Sequence, residues 1–274
     1  MKIHYLGTAA YDAIPSPFCH CETCRKSKAL GGRNIRTRSQ ALVNDDLLLD
    51  FNPDTVTHFL TYGIDWDRID NCLITHSHED HLYVSDIVIP QYGTDPHRVH
   101  YFAGKAGYDQ ILEQLRSTPV MLSKNLAEVT LAEPLREFFA GGYRILPLPA
   151  NHDPASSPLI YAIERDGKRM LYAHDTGLFP EETVQALKTF GRFDLISFDC
   201  TGAVATEGWV DGHMSLKTNL IMVERLTREG IMDSGSIRVA NHFSHNGLAT
   251  YDETVKQAEK HGFVVSYDGM TVEF

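Results

Sequence analysis

The chain has no apolar run approaching the ~20 residues a membrane-crossing helix needs, so no membrane span is expected. Its first residues, Met1-Lys2-Ile3-His4-Tyr5-Leu6-Gly7, lack the length and apolarity of a secretory signal and read as a first strand. A cytoplasmic location is the expectation that follows. Basic residues are in deficit: 25 Lys and Arg against 36 Asp and Glu, a formal net charge of −11. That balance argues against nucleic acid as a partner, because such binding rests on Lys and Arg neutralising phosphates. It leaves small anionic substrates open, since bound cations can dominate a local field. Internal repeats, low-complexity tracts and domain-separating linkers are also missing. The 274 residues, 43% apolar and 22% charged, then read as one α/β domain over 1–274 with a sizeable core.

What the chain has in excess is histidine. Fourteen fall in pairs and clusters beside Asp, and none forms a tag-like run. Short apolar runs predict strands at Lys2–Leu6, Ala41–Val43, Leu47–Asp50, Asn71–Thr75, Val99–Phe102, Tyr143–Leu148, Leu159–Glu164, Arg169–Ala173, Asp194–Phe198, Ser236–Ala240, Phe263–Ser266 and Met270–Glu273. Helical patterns cover Pro53–Tyr62, Lys105–Ser117, Glu181–Phe190, Ser215–Glu229 and Tyr251–His261, with Gly230 and Gly262 where helices should stop. The ligand-type residues sit just past strands: Asp50, His76, His152, Asp175 and His242. Five strand ends bearing such side chains suggest one common rim.

The densest cluster is His76-Ser77-His78-Glu79-Asp80-His81, with imidazoles and carboxylates suited to Zn, Mn or Fe. Burying so many imidazoles without a shared purpose would demand a separate hydrogen-bond partner for each. A second cluster, Cys19-His20-Cys21-Glu22-Thr23-Cys24, supplies three closely spaced thiols. In a reducing compartment that crowding suggests a metal more than disulfides, and a closed structural zinc needs a fourth ligand. Cys72 and Cys200 read as packed residues.

The first cluster matches the H-x-H-x-D-H signature of the metallo-β-lactamase superfamily. Leu47-Leu48-Leu49-Asp50 resembles that family's first motif, Asn151-His152-Asp153 its third, Asp175-Thr176-Gly177 its fourth and Asn241-His242 its fifth. The resemblance spans nearly the whole chain. It implies an αββα sandwich of two mixed β-sheets flanked by helices, with two divalent metals (Zn or Mn, or Fe) at one edge. By that resemblance His76, His78 and His152 bind the first metal and Asp80, His81 and His242 the second. Asp175 bridges them, and Asp50 orients a ligand from behind.

The cysteines narrow the resemblance to the branch of phosphoribosyl cyclic phosphate phosphodiesterases. In that branch a C-x-C-x-x-C zinc site takes its fourth ligand three residues after the fifth-motif His. Here the set is Cys19, Cys21, Cys24 and His245, in a Cys-rich zinc loop at about 15–38. Asp199-Cys200 and Tyr267-Asp268-Gly269-Met270 also resemble it, and His213 aligns approximately with an additional active-site His. The implied activity is hydrolysis of a small, cyclic phosphodiester by a hydroxide bridging the metals. Asp80 and His213 would be the catalytic residues, His213 orienting substrate or protonating the leaving group. A homodimer is compatible with this reading. Stretches 83–124 and 203–213 depart from the branch and would shape the pocket; Arg33, Arg36 and Arg38 are candidates for phosphate contacts. Three alternatives stand beside it: ribonuclease Z-like RNA processing, thioester or lactone hydrolysis, and a PqqB-like cofactor-biosynthesis protein. The intact His78 argues against redox diiron relatives.

Overall fold

The computed structural model describes residues 1–205 and 208–274. Two seven-stranded mixed sheets lie face to face. The first runs β14-β1-β2-β3-β4-β5-β6, where β1 is Lys2–Gly7, β2 Gln40–Val43, β3 Leu47–Leu49, β4 Asn71–Ile74, β5 Val99–Ala103, β6 Ala127–Leu131 and β14 Met270–Glu273. The second runs β13-β12-β11-β10-β9-β8-β7, with β7 Phe138–Ala140, β8 Tyr143–Pro149, β9 Leu159–Arg165, β10 Lys168–Ala173, β11 Leu195–Asp199, β12 Ile237–Asn241 and β13 Phe263–Val265. All twelve predicted strands form. β6 and β7 were not predicted: β6 is an edge strand with three of five side chains exposed, so it carries little apolar signal.

The strands are apolar on both faces because both faces are covered. Leu47, Leu49, Leu73, Tyr161, Met170, Tyr172 and Val239 point inward and fill the space between the sheets. Their neighbours Leu48, Cys72, Ile74 and Tyr101 face outward onto α2 (Thr55–Tyr62) and α4 (Lys105–Ser117). On the other side Leu171, Ile196, Phe198 and Ala240 meet α6 (Glu181–Phe190), α7 (Leu216–Arg228) and α8 (Tyr251–Ala258). The expected αββα layering follows from this period-two alternation. Two-residue hairpins at Gly141-Gly142 and Asp166-Gly167, all with positive φ, give the tight turns such strands need.

Three further helices lie within stretches expected to be loop: α1 (Glu22–Leu30), α3 (Val84–Ile87) and α5 (Pro119–Ser123). The Cys-rich segment is therefore partly helical, with Cys21 as N-cap of α1, its sulfur accepting from Cys24 N. Cys72 and Cys200 are fully buried, as expected of packed residues. Within the divergent 203–213 stretch, residues 206 and 207 lie outside the described residues.

Candidate metal centre

β3, β4, β5 and β6 run parallel, as do β10, β11, β12 and β13. Their carboxyl ends therefore align at one edge of the sandwich, and this places the candidate residues together. Asp50 follows β3, His76 follows β4, Asp175 follows β10, Asp199 ends β11 and His242 follows β12. Asp50, Asp175 and His242 adopt left-handed backbone, with φ of 68°, 50° and 65°. Such strain costs on the order of 1–3 kcal/mol each and persists only where the surroundings over-determine it. Here Asp50 N donates to Leu73 O and Asp175 N to Asp199 Oδ2.

Two donor groups form. In the first, His78 Nδ1 lies 3.0 Å from His76 Nε2 and 3.3 Å from His152 Nε2. Bonds of ~2.0 Å at a tetrahedral ion would separate two nitrogens by about 3.3 Å. In the second, His81 Nε2 is 3.3 Å from Asp80 Oδ2 and 2.5 Å from Asp175 Oδ2, which is 3.1 Å from His242 Nε2. The same Asp175 oxygen is 3.7 Å from His76 Nε2, so it stands between the groups.

The chemistry of these atoms fits cations. His81 Nε2, His242 Nε2 and Asp175 Oδ2 are buried at ion-pair distance yet make no aligned hydrogen bond. Buried polar atoms rarely stay so. The opposite ring nitrogens are all anchored. His81 Nδ1 meets Asp50 Oδ2 at 2.8 Å and His242 Nδ1 meets Thr201 Oγ1 at 2.9 Å. His76 Nδ1 meets Thr75 Oγ1 at 3.1 Å, His78 Nε2 meets Asp153 Oδ2 at 3.3 Å, and His152 Nδ1 meets Gly212 O at 3.2 Å. Partners behind each imidazole that fix its orientation are the habit of metal sites.

Electrostatics agree. Burial raises the Asp175 carboxyl, but the charges of His242 and His81 outweigh it and hold it well below its ordinary range. Burial lowers His242, and Asp175 reverses this, lifting it to about 10. Burial, aided by His81, pushes His76 well below its usual value. Protons thus hold together a cluster from which cations would displace them.

Asp199 was assigned no role by its sequence. It is fully buried; its Oδ1 accepts from Thr201 N and Met214 N, and its Oδ2 from Asp175 N. Oδ2 also faces His213 Nδ1 at 3.2 Å and His242 Nδ1 at 3.4 Å. His213 Nδ1 is 3.3 Å from Asp175 Oδ1, so His213 joins the site. The signal that could have found Asp199 was the one that found the others: a carboxylate ending an apolar strand. Asp80 belongs to the second group, and Ser77 and Glu79 to neither.

Cys19, Cys21, Cys24 and His245 also converge. His245 Nδ1 lies 3.7 Å from Cys19 Sγ and 3.4 Å from Cys21 Sγ. A tetrahedral zinc with bonds of ~2.3 Å to sulfur and ~2.0 Å to nitrogen would set that edge near 3.5 Å. Burial raises the Cys21 thiol, but the Cys24 N–H and His245 among others bring it down to about 6, towards the thiolate that binds metal. His245 Nε2 is held by Asp12 Oδ2 at 2.9 Å, a partner the sequence did not reveal.

The three arginines all contact other parts of the protein. Arg36 is buried, donating to Thr8 Oγ1 and Ser266 O over the Phe243 ring. Arg38 pairs with Asp54 and donates to Tyr11 O. Arg33 stacks on Tyr267 with its guanidinium 4.0 Å from the ring centroid. Arg36 is buried and acts as a structural cation, whereas Arg33 stays exposed on its ring and Arg38 is half-buried, so a phosphate contact remains a proposal for those two.

A family model described as a β-lactamase superfamily domain matches residues 47–232. No curated protein sequence matches the chain. Among solved structures, Zn(2+)-bound PqqB from Methylobacterium extorquens superposes with a TM-score of 0.77 at 20% identity, covering all of both chains. A diphosphatase from the PhnP family gives 0.75 at 20% identity, covering 100% of this chain and 97% of its own. Human tRNase Z, short form, gives 0.65 at 15% identity, covering 100% and 99%. At these identities the likeness is one of fold.

Proposed function

Since the chain belongs to the β-lactamase superfamily, we propose that it is a single-domain, metal-dependent hydrolase acting on a small phosphodiester. The observation that carries this reading is the position of Asp175 Oδ2 between two donor groups, with buried nitrogens aimed at it and left without hydrogen bonds. His76 Nε2, His78 Nδ1 and His152 Nε2 would hold one divalent ion. Asp80, His81 Nε2 and His242 Nε2 would hold the other, with Asp175 shared. Bound there, two divalent ions supply Lewis acidity to a phosphoryl group and to the attacking water.

The chain's own residues do the rest. Asp50, Asp153, Thr75, Thr201 and the Gly212 carbonyl fix the imidazoles so that no reorientation is needed during turnover. His213 turns Nδ1 towards Asp199 and Asp175, which directs its Nε2 outward. From there it can hold a substrate oxygen or give a proton to the leaving oxygen. Cys19, Cys21, Cys24 and His245 would bind a structural zinc, tying α1 to the turn after β12. That site favours a phosphodiester over a thioester or lactone, by likeness to the phosphodiesterase branch. The charge of −11 disfavours RNA. Thiolates kept for zinc suit a reducing, cytoplasmic setting.

The test is hydrolysis of bis(p-nitrophenyl) phosphate and of a cyclic ribose phosphate after reloading stripped protein with Mn or Zn. Turnover of both, with loss on His213→Ala, is expected. Protein carrying its full metal complement but inert towards every phosphodiester would overturn the assignment.

A further inference from the structure

The segment after the metal motif, from Tyr83 onward, has no part in the centre just described. It roofs a cavity of about 560 Å3 on the outer face of the first sheet, within the size range of small-molecule sites. None of the candidate metal ligands lines it. Its walls are apolar, with five aromatic rings among aliphatic side chains. Phe51 and Tyr101 meet edge-on with centroids 5.9 Å apart, and Phe59 and Trp66 lie 3.9 Å apart. Of the lining rings, Tyr92 is 81% exposed and Trp66 43%, so both are open to an occupant from solvent.

The charge of the lining is one-sided. Asp86, on α3, and Asp67 contribute carboxylates, and no Lys or Arg lines the cavity. The one basic group, His97, has its Nε2 3.0 Å from Asp70. Asp86 is partly buried, and its carboxylate makes no hydrogen bond or ion pair with any described residue. Burial, unopposed, raises it above its ordinary value. A partly desolvated, unpaired carboxylate in an otherwise apolar lining favours a positive partner. Ring faces and a carboxylate together attract one class of molecule, an organic cation.

We propose that this cavity is a binding site for a small ammonium-bearing molecule with an aromatic or branched alkyl body. The ammonium would meet Asp86 and the ring faces; the body would pack on Phe51, Phe59 and Tyr101. The site adjoins the metal centre through backbone. Phe51 follows Asp50 directly, its N–H donates to His81 O at 2.9 Å, and its carbonyl accepts from Tyr83 N at 2.7 Å. An occupant therefore rests on the residue that links Asp50, His81 and the roof of the cavity.

Trp66 supplies the readout. In a Trp209→Phe protein it is the sole tryptophan, since the chain has two. Its emission is followed while titrating phenyltrimethylammonium, the neutral isostere tert-butylbenzene and the anion benzenesulfonate. The expected result is saturable binding of the cation about tenfold tighter than the neutral isostere, with the anion excluded. Asp86→Asn should abolish most of that preference while Tyr92→Ala weakens both ligands. Equal affinity for cation and isostere, or a preference unchanged in Asp86→Asn, would overturn the proposal. So would emission that responds to protein concentration and not to cation, which would mark the cavity as a contact between copies.

Discussion

Replacing Asp50 by Asn tests whether the imidazoles are held for metal. Asp50 Oδ1 accepts from Thr75 N at 2.7 Å and Thr75 Oγ1 at 2.9 Å, while Oδ2 faces His81 Nδ1 at 2.8 Å. An Asn keeps the oxygen towards Thr75, because that pair supplies two donors. Its amide NH2 then points at His81 Nδ1, which must become an acceptor. The ring proton moves to Nε2, the nitrogen aimed at Asp80 and Asp175. In metal-free protein that N–H finds a carboxylate, so the fold loses only a charge-assisted bond in exchange for a neutral one, about 1 kcal/mol. The metal, by contrast, faces a proton where it needs a lone pair. Loss of a partner behind a ligand typically costs 10–100-fold in affinity, or about 1.4–2.7 kcal/mol. Metal content after dialysis against graded chelator, alongside thermal melting of stripped protein, separates the two effects. One ion should be lost early while the His76, His78 and His152 group keeps its own. An Asn variant that retains both ions at wild-type affinity, or that unfolds without metal, would refute the argument.

Further outcomes follow from other parts of the structure. Cys21→Ser should reduce bound zinc by one ion per chain and leave the paired site filled, read by elemental analysis; unchanged stoichiometry would count against the sulfur site. Gly177→Ala would put a Cβ 2.1 Å from Val210 O, so the loop bearing Gly212 and His213 must shift; a displacement near 1 Å can cost about 100-fold in kcat/KM with metal content unchanged. Burial holds His58 neutral, with its pKa lowered to about 4, between Thr37 Oγ1 and Gln40 Oε1. Below the unfolded value of ~6.5 the unfolded chain binds the proton first, so stability falls as pH drops from ~6.5 towards 4, by about 2 kcal/mol at pH 5. Urea midpoints at pH 7 and pH 5 should therefore converge in His58→Gln, and an identical pH dependence in both proteins would show the wrong residue was named.

Much of this was legible in the chain. Strands apolar on both faces announce covered sheets, and twelve of them could be placed because burial on both faces demands short, mostly apolar runs. β6 escaped because most of its side chains are exposed, and β7 because three residues are too short a run to register. The family and its ordered motifs were legible because a metal site fixes residue types at short spacing. Helix α1 was hidden because its N-cap is the sulfur of Cys21 and not one of the usual capping oxygens.

Sequence by itself determined which side chains are chemically fit to be ligands, and that they lie beyond strand ends. Only the tertiary structure decided which atoms meet. Parallel pairing brings Asp50, His76, Asp175, Asp199 and His242 to one edge, and left-handed backbone at three of them turns their side chains into the site. It also decided that Asp199 and Asp12 stand behind imidazoles, and that Arg36 is spent on the protein's own hydroxyl, carbonyl and ring. The physical reason is that a side chain's fitness to bind is local, written in its own atoms. Its partners are set by contacts between residues up to hundreds apart in the chain, which no local pattern encodes.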